Sequence, residues 1–239
     1  MNVKIHHLHD WQVSVVQAKQ IQRDLASRVS QKSEVINPRF IAGVDISAPN
    51  STGIARGAAV VLSYPEFDIT EAKVVEEKVT FPYIPGLLSF REAPLILAAC
   101  QKLSTDPDFI LVDGQGIAHP RRFGLASHLG LLLDMPTIGC AKSRFCGQHE
   151  PPAAKAGSYA ELIDDNEVIG AALRTKSEVS PIYISIGHKI DLPTAIYWVM
   201  RCCRGYRLPE PSRLAHLAAG GKSIATTGPN QSHQPRLFT

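Results

Sequence analysis

The chain has 239 residues, of which 44% are hydrophobic and 20% are charged, and its formal net charge is +3. These values describe a globular protein with a sizeable core and exclude a largely disordered chain. We expect a cytoplasmic protein without a membrane segment, because no apolar run reaches the roughly 18 residues that span a bilayer and the first residues lack an apolar signal core.

The N-terminal region predicts one amphipathic helix. Apolar residues recur at three-to-four spacing from Trp11 to Val29, which predicts a helix packed on the outside of a sheet. His6, His7 and His9 precede it. Because these histidines lack spaced acidic or cysteine partners, a flexible end is favoured over a metal site.

Three strand-like runs follow, and their short connections predict an antiparallel meander. The runs are Phe40 to Ile46, Arg56 to Leu62 and Ile69 to Val79. Asp45 stands near the end of the first run. A lone acid in a buried strand is costly unless it is paired, protonated or bound to a metal, so Asp45 either belongs to a site or only caps the strand at the surface.

The segment Thr80 to Gly86 predicts a stiff loop whose tip presents Tyr83 and Ile84, because two prolines fix φ on either side of these residues. Such a loop is either a turn that links a strand to a helix or an aromatic wedge that stacks on bases. Leu87 to Leu103 is predicted as the next helix. Glu92 lies early in this helix, near the end that approaches the sheet edge.

The central stretch predicts a strand, a helix and a second strand, at Phe109 to Val112, Phe123 to Leu133 and Pro136 to Cys140. The first strand ends on Asp113, and Lys142 follows the second. A strand that stops on a carboxylate holds it at the edge of a sheet. In open α/β sheets this edge is where ligands bind, so we expect the chemistry of the protein here.

The remainder of the chain is predicted to contain a loop, a last pair of strands, two helices and a disordered tail. In chain order these are Gln148 to Ser158, Val168 to Leu173, Ile182 to Ile186, Asp191 to Cys203, Arg213 to Ala219, and Gly220 onward.

Three familiar site motifs do not fit the central stretch. A dinucleotide fingerprint fails because His119 stands where the third glycine of G-x-G-x-x-G is needed. A nucleophile elbow fails because no glycine follows two residues after Ser127. A structural zinc site fails because Cys140, Cys146 and His149 lack paired C-x-x-C spacing and a fourth ligand. The five cysteines are expected to be reduced thiols.

Three acids remain at the ends of predicted elements: Asp45, Glu92 and Asp113. Carboxylates on adjacent strands and a flanking helix can converge on a hard cation such as Mg²⁺, and such a site hydrolyses phosphodiesters. Lys142 could balance the developing charge of the phosphate.

Seven basic residues near element ends form either a phosphate-binding face or an ordinary solvated surface. They are Arg121, Arg122, Lys142, Arg144, Arg201, Arg204 and Arg207.

Several motifs, in order from the first helix to about residue 217, resemble the endonuclease V family, the deoxyinosine 3′ endonucleases of DNA repair. The matching pieces are Ile41-Ala42-Gly43-Val44-Asp45, Pro82-Tyr83-Ile84-Pro85-Gly86, Leu88-Ser89-Phe90-Arg91-Glu92, Val112-Asp113-Gly114, His119-Pro120-Arg121-Arg122, Ala126-Ser127-His128, Pro136-Thr137-Ile138-Gly139, Ala141-Lys142 and Gly205-Tyr206-Arg207-Leu208-Pro209-Glu210-Pro211.

The resemblance implies an α/β, ribonuclease H-like fold, with a mixed central sheet flanked by helices. It also implies a Mg²⁺-dependent nick, with Mn²⁺ as a substitute, at the second phosphodiester bond 3′ to a deaminated base, chiefly hypoxanthine. The products would carry 3′-hydroxyl and 5′-phosphate ends. Residues 1–219 would form a single catalytic domain, followed by a disordered tail at residues 220–239, and the protein would act as a monomer.

For the chemistry, the resemblance implies that Asp45 and Asp113 hold the metal and that Glu92 completes the acidic site through water. Lys142 would face the scissile phosphate. The family varies between acidic residues and histidine at the position of His216, so the resemblance leaves its role in the metal site open.

For nucleic acid, the resemblance implies that Tyr83 is the wedge that stabilises the flipped base and that Gly114 and Gly116 let the backbone approach this base. The other residues expected to contact nucleic acid are Ile84, His119 and Arg121. The partner would be DNA with deaminated bases, with inosine-containing RNA as a second candidate. Two alternatives stay open, a noncatalytic inosine-binding protein and a different ribonuclease H-like nuclease for branched DNA or RNA.

Overall fold

A computed structural model describes residues 4–224 of the chain, which form one eight-stranded sheet with helices on both faces. The strands are β1 (Phe40–Ile46), β2 (Ile54–Ser63), β3 (Ile69–Lys78), β4 (Phe109–Val112), β5 (Thr137–Ala141), β6 (Tyr159–Asp164), β7 (Glu167–Leu173) and β8 (Ile182–His188). The helices are α1 (Val15–Ala26), α2 (Leu88–Gln101), α3 (Leu125–Leu133), α4 (Leu192–Arg201) and α5 (Glu210–Ala219).

The strand order is β3-β2-β1-β4-β5-β8-β7-β6, and the sheet is mixed. The three central strands β1, β4 and β5 are parallel, while the pairs on both sides of them are antiparallel. The meander predicted for the first three strands is therefore confirmed. In the register of β1 and β4, Val44 lies opposite Val112, so that the residues which follow them, Asp45 and Asp113, leave the same edge of the sheet at the same level.

The helices cover the two faces of the sheet, and β1 shows how its residues divide between them. Ala42 and Val44 pack with residues of α2 and α3 on one face. Ile41 packs on the other face in the cluster that contains residues of α4. Helix α5 lies on this second face against β1 and β2, and it reaches β1 closely because Gly43 has no Cβ, which would otherwise lie 2.0 Å from the Pro211 carbonyl oxygen.

The first helix is shorter than predicted. It begins at Val15 instead of Trp11, because Ser14 forms a capping box with Gln17 in which the serine hydroxyl accepts from the Gln17 amide. The apolar period that suggested a longer helix also includes Trp11, which packs against the protein from a non-helical segment.

The prediction of a flexible N-terminal end is wrong for the described residues before α1. The amide of His6 donates to the Leu132 carbonyl at 2.7 Å, and Nε2 of the buried His128 lies 2.6 Å from Nε2 of His9. Because His9 Nδ1 donates to the Asp10 carbonyl, its Nε2 is the acceptor in this pair. The segment is thus bound to α3 by a pair of neutral histidines.

At the other end of the chain, α5 begins at Glu210, three residues earlier than predicted, because Pro211 is accommodated in its first turn. Strand β6 was not predicted. Residues 225–239 of the predicted tail lie outside the described residues. Within residues 4–224 none of the helices has the length and apolar character needed to cross a bilayer.

Candidate active site

Two carboxylates and a histidine meet at the edge where β1 and β4 end. Asp45, 8% exposed, is the next-to-last residue of β1, Asp113 follows β4 directly, and His216 projects from α5. One ligand atom from each of the three lies within 4.8 Å of the other two. His216 Nδ1 donates to Asp45 Oδ2 at 2.7 Å, and Lys142 Nζ lies 2.5 Å from Asp113 Oδ2.

The acids of this site repel one another. Burial raises the pKa of Asp45, and the charge of Asp113 raises it further. Burial raises the pKa of Glu92 to about 7, with added contributions from Asp45 and Asp113. A cation would relieve this repulsion. The two aspartates supply the oxygen atoms that Mg²⁺ and Mn²⁺ prefer, while the nitrogen of His216 suits Mn²⁺ better than Mg²⁺.

A cleft of about 410 Å³ opens beside the acids. Tyr83, Lys142, Phe145, Gly114 and Gln115 are among the residues that line the cleft. The cleft is thus bounded by one exposed aromatic loop, one basic loop and the acidic edge of the sheet.

Two buried acceptor atoms in the lining of the cleft have no hydrogen-bond partner among the described residues: Ser89 Oγ and Gln115 Oε1. The Gln115 amide nitrogen donates to the Ser143 carbonyl at 2.9 Å, which leaves its oxygen available. Unpaired buried polar atoms are costly, so Gln115 Oε1 is suited to a ligand that brings a donor, and the Ser89 hydroxyl to a ligand that brings a donor or an acceptor.

The loop between β3 and α2 presents Tyr83, which is 68% exposed, at the rim of the cleft. Ile84 does not share this position. It packs inward with the cluster that contains Phe81, Leu87 and Phe90. The sequence predicted that both residues would be presented at the tip, and the structure presents Tyr83 alone.

Three residues that were predicted to contact nucleic acid lie differently from Tyr83. The side chains of His119 and Arg121 point to the carbonyl oxygen of Gly86, with His119 also in the lining of the cleft. Burial, followed by the charge of Arg121, lowers the pKa of His119 to about 4. Gly116 packs against β8, where a Cβ would lie 2.0 Å from the Ile186 carbonyl oxygen, whereas Gly114 lines the cleft.

The sequence patterns did not indicate Gln22, Ser89 or Gln115 as site residues. Gln22 on α1 is 1% exposed and bonds both Gly86 and Arg121. It could have been found, because it lies four residues after Ala18 and three before Leu25 and so places an amide on the buried face of the helix. Ser89 and Gln115 carry no such signal.

Known proteins with similar sequences and structures identify the family of this chain. A model of the endonuclease V family matches residues 23–217. The endonuclease V of Dehalococcoides mccartyi strain CBDB1 is 52% identical over 92% of this chain and 98% of its own. The crystal structure of Streptomyces avermitilis endonuclease V matches at a TM-score of 0.84 with 39% identity, over 92% of this chain and 97% of that one.

A further solved structure is a complex. It contains Ciona intestinalis endonuclease V and a 24mer DNA with an inosine followed by a ribo-adenosine, and it matches at a TM-score of 0.75 with 27% identity over 87% of this chain and 96% of that chain. The fold, with its acidic edge, is that of a ribonuclease H-like nuclease. The chain belongs to the endonuclease V family.

Proposed function

We propose that this protein is a Mg²⁺-dependent endonuclease that nicks DNA at the second phosphodiester bond 3′ to a deaminated base, chiefly hypoxanthine, leaving 3′-hydroxyl and 5′-phosphate ends. The observation that carries the proposal is the cluster of Asp45, Asp113 and His216 beside Lys142, in a cleft bounded by the exposed Tyr83. The DNA complex of the Ciona intestinalis relative supports the choice of substrate.

In the proposed mechanism Asp45 and Asp113 would hold the cation, because their oxygen atoms converge at the edge of the sheet. When bound there, a divalent cation would supply charge stabilisation for the scissile phosphate and would activate a water. Lys142 donates to a phosphate oxygen when the strand enters the cleft. Glu92, whose pKa is about 7, can accept a proton from water near neutral pH.

The free acceptor of Gln115 supports a deaminated base as the target. Deamination of adenine turns ring nitrogen N1 from an acceptor into an N–H donor, and a flipped base is read through hydrogen bonds to this edge. Hypoxanthine can therefore donate to Gln115 Oε1, which has no partner among the described residues. Adenine would place a lone pair against it and is disfavoured.

The test is Asp113→Asn, which keeps the size of the side chain and removes a charge beside Lys142. We expect nicking of deoxyinosine DNA by this variant to fall more than about a hundredfold in Mg²⁺. The nicking assay should be run on duplexes with deoxyinosine, on inosine RNA and on flaps, with and without Mg²⁺ or Mn²⁺, and the cut should be mapped on a sequencing gel.

Asp165→Asn is the matched control, because Asp165 is exposed in the turn between β6 and β7. It should keep full activity. Full activity of Asp113→Asn, or equal activity of the wild type without a divalent cation, would refute the assignment of the site. Faster cleavage of inosine RNA or of flaps would refute the proposed substrate, and binding without any cleavage would indicate a noncatalytic inosine-binding protein.

Residues 1–219 act as one catalytic domain, because the proposed metal ligands and Tyr83 all lie within this range, and the protein acts as a monomer. Light scattering of the protein alone and with substrate, together with the activity of a chain that ends at residue 219, tests both statements.

A further inference from the structure

The base of the loop that carries Tyr83 is held by an unusual number of hydrogen bonds to one atom. The carbonyl oxygen of Gly86 accepts from Gln22 Nε2 at 3.0 Å, from His119 Nε2 at 3.0 Å and from Arg121 Nη2 at 2.6 Å. These donors come from α1 and from the segment after β4, so two distant parts of the chain meet at the end of the loop.

Gln22 connects these parts. Its amide nitrogen also donates to the Phe123 carbonyl at 3.0 Å, and its oxygen accepts from Arg121 Nε at 2.6 Å. Gln22 is 1% exposed, and these hydrogen bonds satisfy both of its N–H groups and its oxygen within the protein. A shorter or apolar side chain could not make these bonds.

Gly86 fits the same arrangement. Its φ is +80°, and a Cβ would lie 2.8 Å from Arg121 Nη2, so only glycine combines this conformation with the close guanidinium. At the other end of the loop, Arg91 Nη1 donates to the Phe81 carbonyl at 2.7 Å. Between these two anchored carbonyls, Pro82, Tyr83 and Pro85 are exposed.

We propose that Gln22 is a positioning residue for substrate engagement: through the Gly86 carbonyl it fixes the exposed loop, and with it Tyr83, at the rim of the acidic cleft. This proposal rests on the proposed function, in which Tyr83 contacts the distorted strand. A fixed loop favours binding because less conformational entropy is lost when the substrate is bound. His119 and Arg121 serve the same carbonyl oxygen.

The experiment compares Gln22→Met with the wild type in single-turnover cleavage of deoxyinosine DNA over a range of enzyme concentrations. We expect the half-saturating enzyme concentration to rise about tenfold and the rate at saturation to stay within about twofold. Hydrogen exchange of the peptide that covers residues 82–87 should become faster. Gln20→Met is the matched control, because Gln20 lies on the exposed side of the same helix and donates a hydrogen bond to the neighbouring Asp24.

A second variant, Gln22→Glu, keeps the shape and the acceptor for Arg121 but removes both donated bonds. It should show the same loss of affinity and the same faster exchange, and it serves as the test if the methionine variant does not fold. Unchanged half-saturation and exchange in the folded variant would overturn the proposal. A fall in the active fraction alone would also overturn it, because a purely structural residue changes the amount of folded enzyme and leaves half-saturation unchanged.

Failure of the proposed function gives a different result. If the wild type cleaves none of the inosine substrates, the substrate assignment is wrong, and hydrogen exchange still decides whether Gln22 fixes the loop. If the wild type cleaves deoxyinosine DNA and the Gln20 control loses as much affinity as Gln22→Met, the positioning role of Gln22 is refuted alone.

Discussion

At the scale of single residues, Gln115 provides a direct test of how a deaminated base is read. Gln115→Leu removes the free acceptor, so we expect kcat/KM on deoxyinosine DNA to fall about 10- to 100-fold while the rate on adenine-containing DNA changes little. The ratio of the two rates, measured in competition, checks the prediction.

The leucine variant also loses the hydrogen bond to Ser143, so a second variant separates the two effects. Gln115→Glu loses that donor but keeps an acceptor. It should preserve more of the preference for inosine than the leucine variant does. Gln148→Leu controls for the loss of an exposed glutamine. Equal discrimination by Gln115→Leu and the wild type would contradict the proposed contact.

At the same scale, the sequence indicated the acidic residues and the lysine of the site better than it indicated the hydrogen bonds around the Gly86 carbonyl. Asp45 and Asp113 were predictable because both follow apolar runs and must lie at the edge of a sheet. The inward direction of His119 and Arg121 was not, because a polar side chain after a strand end can face either a ligand or the chain. Gln22, which holds Arg121 towards the chain and away from a ligand, is distant in the sequence, so the residues next to Arg121 give no indication of this contact.

At the scale of elements, the cap of α1 sets where the helix begins and gives a stability prediction. Ser14→Ala removes the hydroxyl that accepts from the Gln17 amide, and the free energy of unfolding should fall by about 1 kcal/mol. Urea unfolding followed by circular dichroism measures this change.

Ser27→Ala at the other end of α1 is the control for this variant. The Ser27 hydroxyl makes only a 3.4 Å contact with the Asp24 carbonyl, so its removal should cost less than that of Ser14. If the two serine variants are equally stable, the capping box does not stabilise the helix as proposed.

Most strands and helices were predictable because their apolar residues follow the periods of a helix or a buried strand. Strand β6 was not. Of its six residues only Leu162 is buried, because β6 lies at the edge of the sheet and is held by its pairing with β7. A strand that is held mainly by backbone pairing does not need alternating polar and apolar residues, so its sequence carries no strand pattern.

At the scale of the whole molecule, buried neutral histidines make stability depend on pH. The pKa of His119 falls from 6.5 to about 4 on folding, so the unfolded chain binds more protons between these values. The contribution of the neutral His119 to the free energy of unfolding is fully present above pH 6.5 and is lost as pH falls through about 4. Between pH 7.5 and 5 it amounts to about 2 kcal/mol. Burial also lowers the pKa of His9 and His128, with the same sign.

The raised pKa of Glu92 makes stability depend on pH in the opposite direction, since the stabilising contribution of Glu92 is lost as pH rises from 4.5 towards 7. A variant therefore isolates the histidine. In His119→Gln, the difference in unfolding free energy between pH 7.5 and pH 5 should shrink by about 2 kcal/mol relative to the wild type, as measured by urea unfolding at both values. An unchanged difference would show that His119 does not titrate as described.

The close approach of α5 to β1 has a mechanical consequence. Pro211, in the first turn of α5, touches the sheet where Gly43 lacks a Cβ, and His216 lies five residues further along the same helix, about 7.5 Å along its axis. The first turn of α5 therefore lies directly on the backbone of β1, and this contact sets the position of His216. A methyl group at Gly43 would displace the first turn of α5 and move the His216 imidazole away from the Asp45 carboxylate. The geometry of the acidic site therefore depends on the absence of a side chain at Gly43.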